Sequence, residues 1–447
     1  MTHHPAIAAL GIRLAQKRVR LGGLRDDRWS LAWTEFLGLV PTAAAALADK
    51  LPHGEDVWIS DDRPLAGLLT TLALAYSGKI PVLGSTPPKG APTAHLEGLS
   101  INDMARADTK DVATILGRCF ARTGAAVAFA TSGSTGDVKI VHKDWRALLN
   151  EAMFLKSLVL PMADRHGVLA LVPPYHLFGF LYTFLMPLIS QESVRFAIPV
   201  NGVVSVNEKD AAEVGIMVAV PALWPLVKSL AFAARIPLVV SSGAAIGIAR
   251  EEEFRGFRSE GLTDTRLVEV LGSTETGGIG WRECAVDEPQ TFTRFAPVEI
   301  DRGNDGAMIL SPFLYPENEA VALMDQLELD SSGERFRHLG RSDRVFKWSG
   351  KRHSLKDIED ALLRVTSAER VQCFFLVDPH KAQGGELVAC LVGTKIDPDI
   401  ALRQYSATAR LPVPTRIYSV VASQLNGMGK IGLKDLASID PALAHLL

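Results

Sequence analysis

The segment FATSGSTGDVK, from Phe129 to Lys139, places glycines and small hydroxyl side chains between an apolar run and a lysine. Backbone N–H groups of such a loop can turn inward beside the hydroxyls and bind phosphate oxygens. It is not a Walker A loop, because that pattern ends in Gly-Lys-Ser/Thr, whereas Lys139 follows Val138. A flexible Ser/Gly linker is the alternative, but the apolar flanks favour a tight turn between ordered elements. The candidate phosphate-binding residues are Thr131, Ser132, Gly133, Ser134, Thr135, Gly136 and Lys139.

A second loop, GSTETGG from Gly272 to Gly278, follows the apolar run 267–271 and places hydroxyls beside a carboxylate. A carboxylate next to a phosphate site is repulsive unless a cation lies between them, and Mg2+ takes oxygen ligands together with substrate phosphates. Glu275 is the candidate ligand. The alternative is an exposed loop glutamate without a role.

Both loops follow apolar runs that are typical of buried parallel strands, and helix-length segments lie between several such runs. This alternation predicts a fold of α/β layers. The predicted strands are 56–59, 80–83, 167–172, 216–220, 236–241 and 267–271, and the predicted helices are 64–77, 145–157 and 222–233.

The composition limits the classes of function. The chain has 447 residues, of which 47% are hydrophobic and 22% charged, as in soluble globular proteins of two or three domains. A net charge of −3 gives no excess of positive charge that would attract nucleic acid or an anionic membrane. The four cysteines, Cys119, Cys284, Cys373 and Cys390, lie far apart and form no zinc or disulfide pattern, which indicates a reducing cytoplasm.

One stretch, 168–190, is long enough to cross a bilayer and carries no charge unless His176 is protonated. Pro173, Pro174 and Gly179 interrupt it, so we expect a buried strand, a loop and a core helix; a membrane span is the alternative. Basic residues near the N-terminus interrupt the apolar core that a signal peptide needs. We therefore expect neither secretion nor membrane insertion.

The character of the sequence changes after Arg341. The pattern predicts an amphipathic helix at 356–365, strands at 371–377 and 386–392, and a helix at 398–407. An α+β unit of this size is typical of a separate domain. The polar stretch 339–343 marks the boundary, so we expect a large domain at 1–341 and a small one at 342–447.

Two further segments follow the loops in order: GRSDRVFKWSGKRHSLKDIEDAL from Gly340 to Leu362, and NGMGKIGLKDL from Asn426 to Leu436. With them, the sequence resembles the adenylate-forming superfamily, which contains acyl-CoA synthetases, peptide-synthetase adenylation domains and luciferases. The resemblance implies a large N-terminal domain of layered α/β subdomains, which holds the ATP and acyl sites, and a small mobile α+β C-terminal domain. It also implies that the first loop guides the pyrophosphate of ATP away.

The resemblance implies roles for individual residues. Thr274 contacts the α-phosphate, Glu275 holds Mg2+, and Lys430 neutralises charge between the carboxylate and the α-phosphate. His176 lies beside the acyl site and changes rotamer between half-reactions, and the small domain rotates about Asp343. Residues assigned to the nucleotide are Ser242, Gly243, Ala244, Leu271, Gly272 and Ser273 around the adenine and phosphates, with Asp325 and Arg341 at the ribose.

The sequence departs from the family pattern at several positions. Val138 replaces the proline before the loop lysine, and Leu271 replaces the aromatic residue that stacks on adenine. We therefore expect apolar contact to hold adenine more than stacking. These differences affect the assignment to a subfamily more than the assignment to the superfamily.

The implied acyl pocket contains no cation and no acid that could pair with an amino acid's charges, so a hydrophobic or aryl carboxylic acid is expected. Its residues are His176, Phe178, Gly179, Phe180, Ala245, Leu271 and Gly277. The segment Trp348-Ser349-Gly350 resembles the loop that lines the thiol tunnel, where glycine lets a phosphopantetheine arm pass close to the backbone.

The sequence thus predicts an ATP- and Mg2+-dependent, AMP-forming acid-thiol ligase. It joins a small-molecule carboxylic acid to AMP, releases pyrophosphate and transfers the acyl group to the thiol of coenzyme A. One alternative is a free-standing adenylating enzyme that loads an acyl carrier protein, and another is a nucleotide-binding remnant without activity. Monomer and homodimer both remain open.

Overall fold

The structure, a computed structural model, describes most of the chain. The described residues are 5, 10, 23–26, 29–48, 55–61, 63–84, 87–96, 111–132, 138–199, 203–204, 206, 211, 213–233, 235–246, 248–303, 306–341, 344–348, 351–366, 368–378, 381, 385–393, 397–408, 411–420, 431, 436 and 438–443.

Some helices begin where the sequence supplies a proline or a side-chain cap. Pro64 opens a helix at a position where the missing N–H costs nothing. Asp144 accepts a hydrogen bond from the Ala147 N–H at 2.7 Å, and Ser354 accepts one from the Lys356 N–H at 3.1 Å. The helices are α1 (Trp33–Gly38), α2 (Val40–Ala48), α3 (Pro64–Tyr76), α4 (Val112–Cys119), α5 (Trp145–Val159), α6 (Leu177–Phe180), α7 (Met186–Ser190), α8 (Trp224–Ala233), α9 (Ile248–Ser259), α10 (Leu355–Val365) and α11 (Pro398–Thr408).

The predicted apolar runs form strands, and further strands pair beside them. They are β1 (Gly23–Arg25), β2 (Ser30–Ala32), β3 (Asp56–Ile59), β4 (Ile80–Gly84), β5 (Thr93–Ala94), β6 (Val127–Ser132), β7 (Val138–Lys143), β8 (Val168–Ala170), β9 (Val194–Phe196), β10 (Ile216–Ala219), β11 (Leu238–Ser241), β12 (Arg266–Ser273), β13 (Gly277–Glu283), β14 (Thr291–Arg294), β15 (Glu299–Gly303), β16 (Gly306–Leu310), β17 (Val321–Leu323), β18 (Asp325–Leu329), β19 (Arg335–Arg341), β20 (Val345–Trp348), β21 (Lys351–Ser354), β22 (Arg370–Val377), β23 (Gly385–Val392) and β24 (Arg416–Val420).

A five-stranded sheet carries the phosphate-loop candidate. Its order is β5-β3-β4-β6-β7; the first four strands run parallel and β7 returns antiparallel to β6. The β6–β7 pairing extends from Val127 opposite Lys143 to Ser132 opposite Val138. The segment 133–137 therefore connects two paired strands at one edge of this sheet.

An eleven-stranded sheet carries the second loop. Its order is β18-β19-β14-β13-β12-β11-β10-β8-β9-β1-β2. Strands β9, β8, β10, β11 and β12 run parallel, and β13 turns back antiparallel to β12. The two sheets share one hydrophobic core, to which Val57 and Phe129 of the first and Val240 and Val268 of the second contribute. A third sheet contains β15, β16 and β17.

The long apolar stretch 168–190 forms a strand, a loop and buried helix. It contains β8, α6, a π-helical turn at Leu181–Leu185 and α7. Phe180 and Phe184 are fully buried, with ring centroids 5.1 Å apart. The described residues contain no helix that is long and apolar enough to span a membrane. The predicted strand, loop and core helix are confirmed.

The C-terminal part has its own core. Strands β22, β23 and β24 form a sheet, and β20 pairs with β21. The amphipathic helix α10 buries Ile358 and Leu362, which pack with Leu387 of β23. The predicted helices and strands of this part occur within one residue of their predicted bounds. The boundary at Arg341, where β19 ends, stays a prediction.

A buried charge network joins β12, β13 and α9. Arg282 of β13 donates from Nε to Glu269 Oε2 at 2.7 Å and from Nη1 to Glu251 Oε2 at 2.8 Å. Its side chain is 2% exposed. Burial lowers the pKa of Arg282, but Glu269 and Glu251 outweigh this effect and hold the pKa above its ordinary value. The guanidinium thus stays charged and ties β12, β13 and α9 together.

Replacing Arg282 should therefore be costly. We expect Arg282→Met to lower the free energy of unfolding by about 3 to 5 kcal/mol, because two carboxylates would stay buried without their cation. The control is Arg335→Met, which removes a surface pair with Asp287 and should cost under about 1 kcal/mol. Urea denaturation monitored by tryptophan fluorescence measures both. Equal losses in the two variants would contradict a structural role for the network.

Candidate active site

The first loop candidate connects β6 and β7. Thr131 of β6 lies opposite Lys139 of β7, and Thr131 Oγ1 donates to Lys139 O at 3.4 Å. Both flanks of the segment are paired strands, as the apolar runs on either side of it predicted. Among the predicted phosphate ligands, Gly133, Ser134, Thr135 and Gly136 lie outside the described residues, as does the side chain of Ser132.

The second loop is a tight turn between β12 and β13. The Ser273 N–H donates to Thr276 Oγ1 and the Thr276 N–H donates to Ser273 Oγ, both at 3.1 Å. Thr276 is fully buried. A Cβ on Gly272 would lie 2.3 Å from Gly277 O, so the hairpin needs glycine there. The turn presents Thr274 and Glu275 on a fixed backbone.

The two loops meet through Lys139 and Glu275. Lys139 Nζ donates to Glu275 Oε1 at 2.6 Å, although 136 residues separate them in sequence. Burial raises the pKa of Glu275, but the hydrogen bond and the charge of Lys139 outweigh it and hold the pKa below its ordinary value. The carboxylate is therefore anionic and half-buried, beside a lysine whose side chain is 59% exposed. The structure thus brings the predicted phosphate lysine and the predicted metal ligand together.

Two buried ionisable side chains lie behind this contact, and sequence reasoning missed both. Lys143 Nζ donates to Glu275 O at 2.8 Å and to Phe313 O at 3.2 Å. Glu151 of α5 accepts from the Gly278 N–H at 2.7 Å. Burial lowers the pKa of Lys143 to about 8 and raises that of Glu151 to about 7, and each group's charge opposes the other's shift. Glu151 lies on the same helix face as Leu148 and Leu155, and this spacing could have indicated its burial.

The predicted adenine segment packs against the end of β12. Ser242 Oγ donates to Val270 O at 2.8 Å, which places Ser242 next to Leu271. Gly243 has a φ of +86°, a conformation that favours glycine. Ala244 and Ala245 are exposed, and the Ile246 N–H donates to Glu269 Oε1 at 2.9 Å. The buried charge network is therefore hydrogen-bonded to this segment through Glu269.

The two predicted ribose residues face each other. Asp325 of β18 pairs with Arg341 of β19, whose side chain lies outside the described residues. Asp325 Oδ1 also lies 2.6 Å from Nε2 of His338, a partner that sequence reasoning missed. A register shift between Asp325 and Leu327 brings His338 within reach. The contact of His338 could have been predicted from the sequence only if that register shift had been predicted.

The predicted acyl-pocket residues at α6 divide into two groups. Phe180 is fully buried, and its ring lies 5.6 Å from that of Phe129 in β6. Phe180 is therefore part of the hydrophobic core and does not face an open surface. His176 and Phe178 are half-buried at the start of the helix. A Cβ on Gly179 would lie 2.1 Å from Pro173 O, so glycine lets the helix approach the loop before it.

Several predicted residues cannot be placed in the site. Asp343, Ser349, Gly350 and Lys430 lie outside the described residues, and their roles stay predictions. Among the residues described, no group of three His, Cys, Asp or Glu side chains could hold a metal ion. A single carboxylate such as Glu275 suits Mg2+, which binds one or two carboxylates together with substrate phosphates.

Comparison with known proteins decides the family. The model of the AMP-binding enzyme family matches residues 90–299. A 4-coumarate–CoA ligase of Rhodobacter capsulatus is 35% identical over 299 residues, which are 65% of this chain and 70% of that protein. The chain belongs to the AMP-binding enzyme family. A 4-coumarate–CoA ligase of Cereibacter sphaeroides is 31% identical over 244 residues, and the match spans 54% of each protein.

Several solved structures share the fold. The anthranilate CoA ligase AuaEII, in complex with anthranoyl-AMP, has a TM-score of 0.75 at 15% identity, over 99% of this chain and 98% of that one. The o-succinylbenzoate CoA synthetase of Bacillus subtilis has a TM-score of 0.71 at 16% identity, over 98% of both chains. ATP-bound MatB from Rhodopseudomonas palustris has a TM-score of 0.66 at 18% identity, over 92% and 95%. The predicted adenylate-forming fold is confirmed.

The burial of Glu151 in this AMP-binding enzyme should make its stability depend on pH. A glutamate in an unfolded chain has a pKa of about 4.3, whereas that of Glu151 is about 7. Between these values the folded protein retains a proton that the unfolded chain releases, so the free energy of unfolding falls as pH rises through this window.

We expect Glu151→Gln to remove this slope. From pH 5 to pH 8 the wild type should lose about 2 to 3 kcal/mol relative to the variant, as a pKa shift of this size implies. Urea denaturation at unit intervals of pH measures the difference. Glu55→Gln is the control, because the Glu55 side chain is 74% exposed. Parallel pH profiles for wild type and Glu151→Gln would contradict the prediction.

Proposed function

We propose that this AMP-binding enzyme activates a hydrophobic or aryl carboxylic acid with ATP and transfers the acyl group to coenzyme A. The observation that carries the proposal is the contact of Lys139 with Glu275, which joins the first loop's strand to the turn after β12. A cationic and an anionic side chain at the meeting point of two loops suit a metal-bound polyphosphate. The CoA ligases among the relatives support the reaction class.

In the first half-reaction, a carboxylate oxygen attacks the α-phosphorus, and the bond to the β-phosphate bridging oxygen breaks. The products are acyl-AMP and pyrophosphate. Thr131 and Lys139 hold the departing phosphates, Thr274 contacts the α-phosphate, and Lys430 balances the charge between the reacting carboxylate and the phosphate. Glu275 would hold Mg2+, which when bound would supply positive charge to the phosphates. Preorganised donors stabilise this charge without reorganising during the reaction.

The nucleoside is held at two places in this proposal. Leu271 and the Ser242–Ala245 backbone flank the adenine, and Asp325 accepts from the ribose hydroxyls beside Arg341. A carboxylate has several acceptor sites, so Asp325 can bind the ribose while it also contacts His338.

In the second half-reaction, a thiol attacks the acyl carbonyl carbon and AMP leaves. We assign the rotation of the small domain to Asp343, the thiol tunnel to Ser349 and Gly350, and the change at the acyl site to His176. The apolar residues near His176, and relatives named for 4-coumarate and anthranilate, favour an aryl acid. A carrier protein as acceptor is the alternative. The four cysteines are free and buried, which fits a reducing cytoplasm.

A panel of carboxylic acids tests the proposed function. Pyrophosphate release is measured with ATP and Mg2+ for aryl, aliphatic and amino acids, with and without coenzyme A. We expect release with aryl or hydrophobic acids and formation of the acyl-CoA thioester. Release without consumption of coenzyme A, followed by loading of a phosphopantetheinylated carrier, would favour the alternative acceptor. Absence of release with every acid would contradict the proposal.

The metal role of Glu275 leads to a second test. Glu275→Gln keeps the shape of the side chain and removes the anionic ligand. We expect the rate of pyrophosphate release to fall on the order of 100-fold at limiting Mg2+, with partial recovery as Mg2+ is raised. Thermal unfolding should change little. Glu317→Gln, at an exposed surface position, is the control. An unchanged rate at limiting Mg2+ would exclude Glu275 as the ligand.

A further inference from the structure

Two lysines of one strand hold different parts of Glu275. Lys139 and Lys143 are four residues apart in β7, so both side chains point to the same face of the sheet. Lys139 contacts the Glu275 carboxylate, whereas Lys143 donates to the Glu275 backbone carbonyl at 2.8 Å. Lys139 is mostly exposed and can exchange partners, but Lys143 is 1% exposed. The side chain and the backbone of Glu275 thus have separate partners.

The other end of the turn is held by Glu151. Its Oε1 accepts from the Gly278 N–H at 2.7 Å, and the residue is 2% exposed. Gly277 has a φ of +72°, and a Cβ there would lie 2.6 Å from Glu151 Oε2. The backbone of the turn therefore packs directly on this carboxylate. One residue separates β7, which ends at Lys143, from α5, which carries Glu151, so both buried contacts with the turn come from one continuous segment, 143–151.

We propose that Lys143 and Glu151 are positioning residues that fix the turn of Thr274 and Glu275 against the β6–β7 hairpin, so that ATP and Mg2+ meet both loops in one geometry. This inference rests on the proposed function, because it assigns the turn to the metal and the α-phosphate. When Lys139 leaves Glu275 to bind phosphate, the Lys143 and Glu151 contacts to the backbone stay in place.

The test distinguishes the effect of the length of the Glu151 side chain from the effect of its charge. Glu151→Gln removes the charge and keeps an acceptor oxygen for the Gly278 N–H. Glu151→Asp keeps the charge and withdraws the carboxylate by one methylene group. The matched control is Glu192→Asp, since Glu192 is also buried and accepts from the Gly167 N–H at 2.8 Å, at the amino end of β8. A further variant combines Lys143→Met with Glu151→Gln, which leaves no unpaired buried charge.

The expected pattern is specific for nucleotide and metal. Glu151→Asp and the double variant should raise the KM for ATP and the half-saturating Mg2+ concentration about tenfold, the effect of one lost hydrogen bond of about 1.4 kcal/mol. The KM for the carboxylic acid should rise less than the KM for ATP, because only Gly277 of this turn is assigned to the acyl pocket, whereas Thr274 and Glu275 are assigned to the nucleotide and the metal. Glu151→Gln and Glu192→Asp should keep the wild-type KM for ATP. A merely structural role would lower stability or the active fraction and leave these KM values unchanged.

Calorimetric titration with ATP and Mg2+ gives a readout that does not require turnover. Weaker binding to Glu151→Asp than to Glu151→Gln supports the inference even if the double variant does not fold. Equal ATP and Mg2+ affinities in Glu151→Asp, Glu151→Gln and wild type would overturn it. An inactive wild type that still binds ATP with this pattern would contradict the proposed function alone.

Discussion

The contact between Lys139 and Glu275 requires two strand pairs from different sheets, β6–β7 and β12–β13, to lie side by side. A surface ion pair contributes little to stability, because solvent screens it and two long side chains lose freedom. This pair therefore cannot hold the hairpins together by itself. The buried contacts of Lys143 and Glu151 with the turn's backbone do so, and the strand pairing of β6 with β7 carries Lys139 to the same place.

The segment predicted to bind adenine also combines exposed residues with buried contacts that fix its two ends. Arg282 is buried between Glu269 and Glu251, and the second oxygen of Glu269 accepts from the Ile246 N–H. The exposed Gly243 and Ala244 thus lie between two anchored points, Ser242 and Ile246. Charged groups in the interior are costly unless every partner is present. The network holds the Ile246 end of the 242–246 segment through a buried hydrogen bond, which water does not weaken.

Much of the fold could be predicted because local patterns determine it. The run 56–59 gives β3 with the predicted bounds, and Asp144 before Trp145 marks the start of α5. Strand β24 was missed, since Arg416–Val420 is mostly half-buried and shows no continuous apolar run. Lys143, Glu151 and His338 were missed for a different reason. Each is defined by a partner more than ten residues away, and the bulge that admits His338 leaves no mark in the sequence.

The paired loops also have a consequence for how ATP and metal bind under the proposed function. In the structure, the Glu275 carboxylate pairs directly with Lys139. When Lys139 turns to a phosphate, the carboxylate loses that charge and lies near several negative oxygens, which is unfavourable in a partly desolvated site. A divalent cation at Glu275 reverses the sign of this interaction. ATP binding therefore creates the metal site at the moment when it removes the lysine from it, so the two ligands bind with positive coupling.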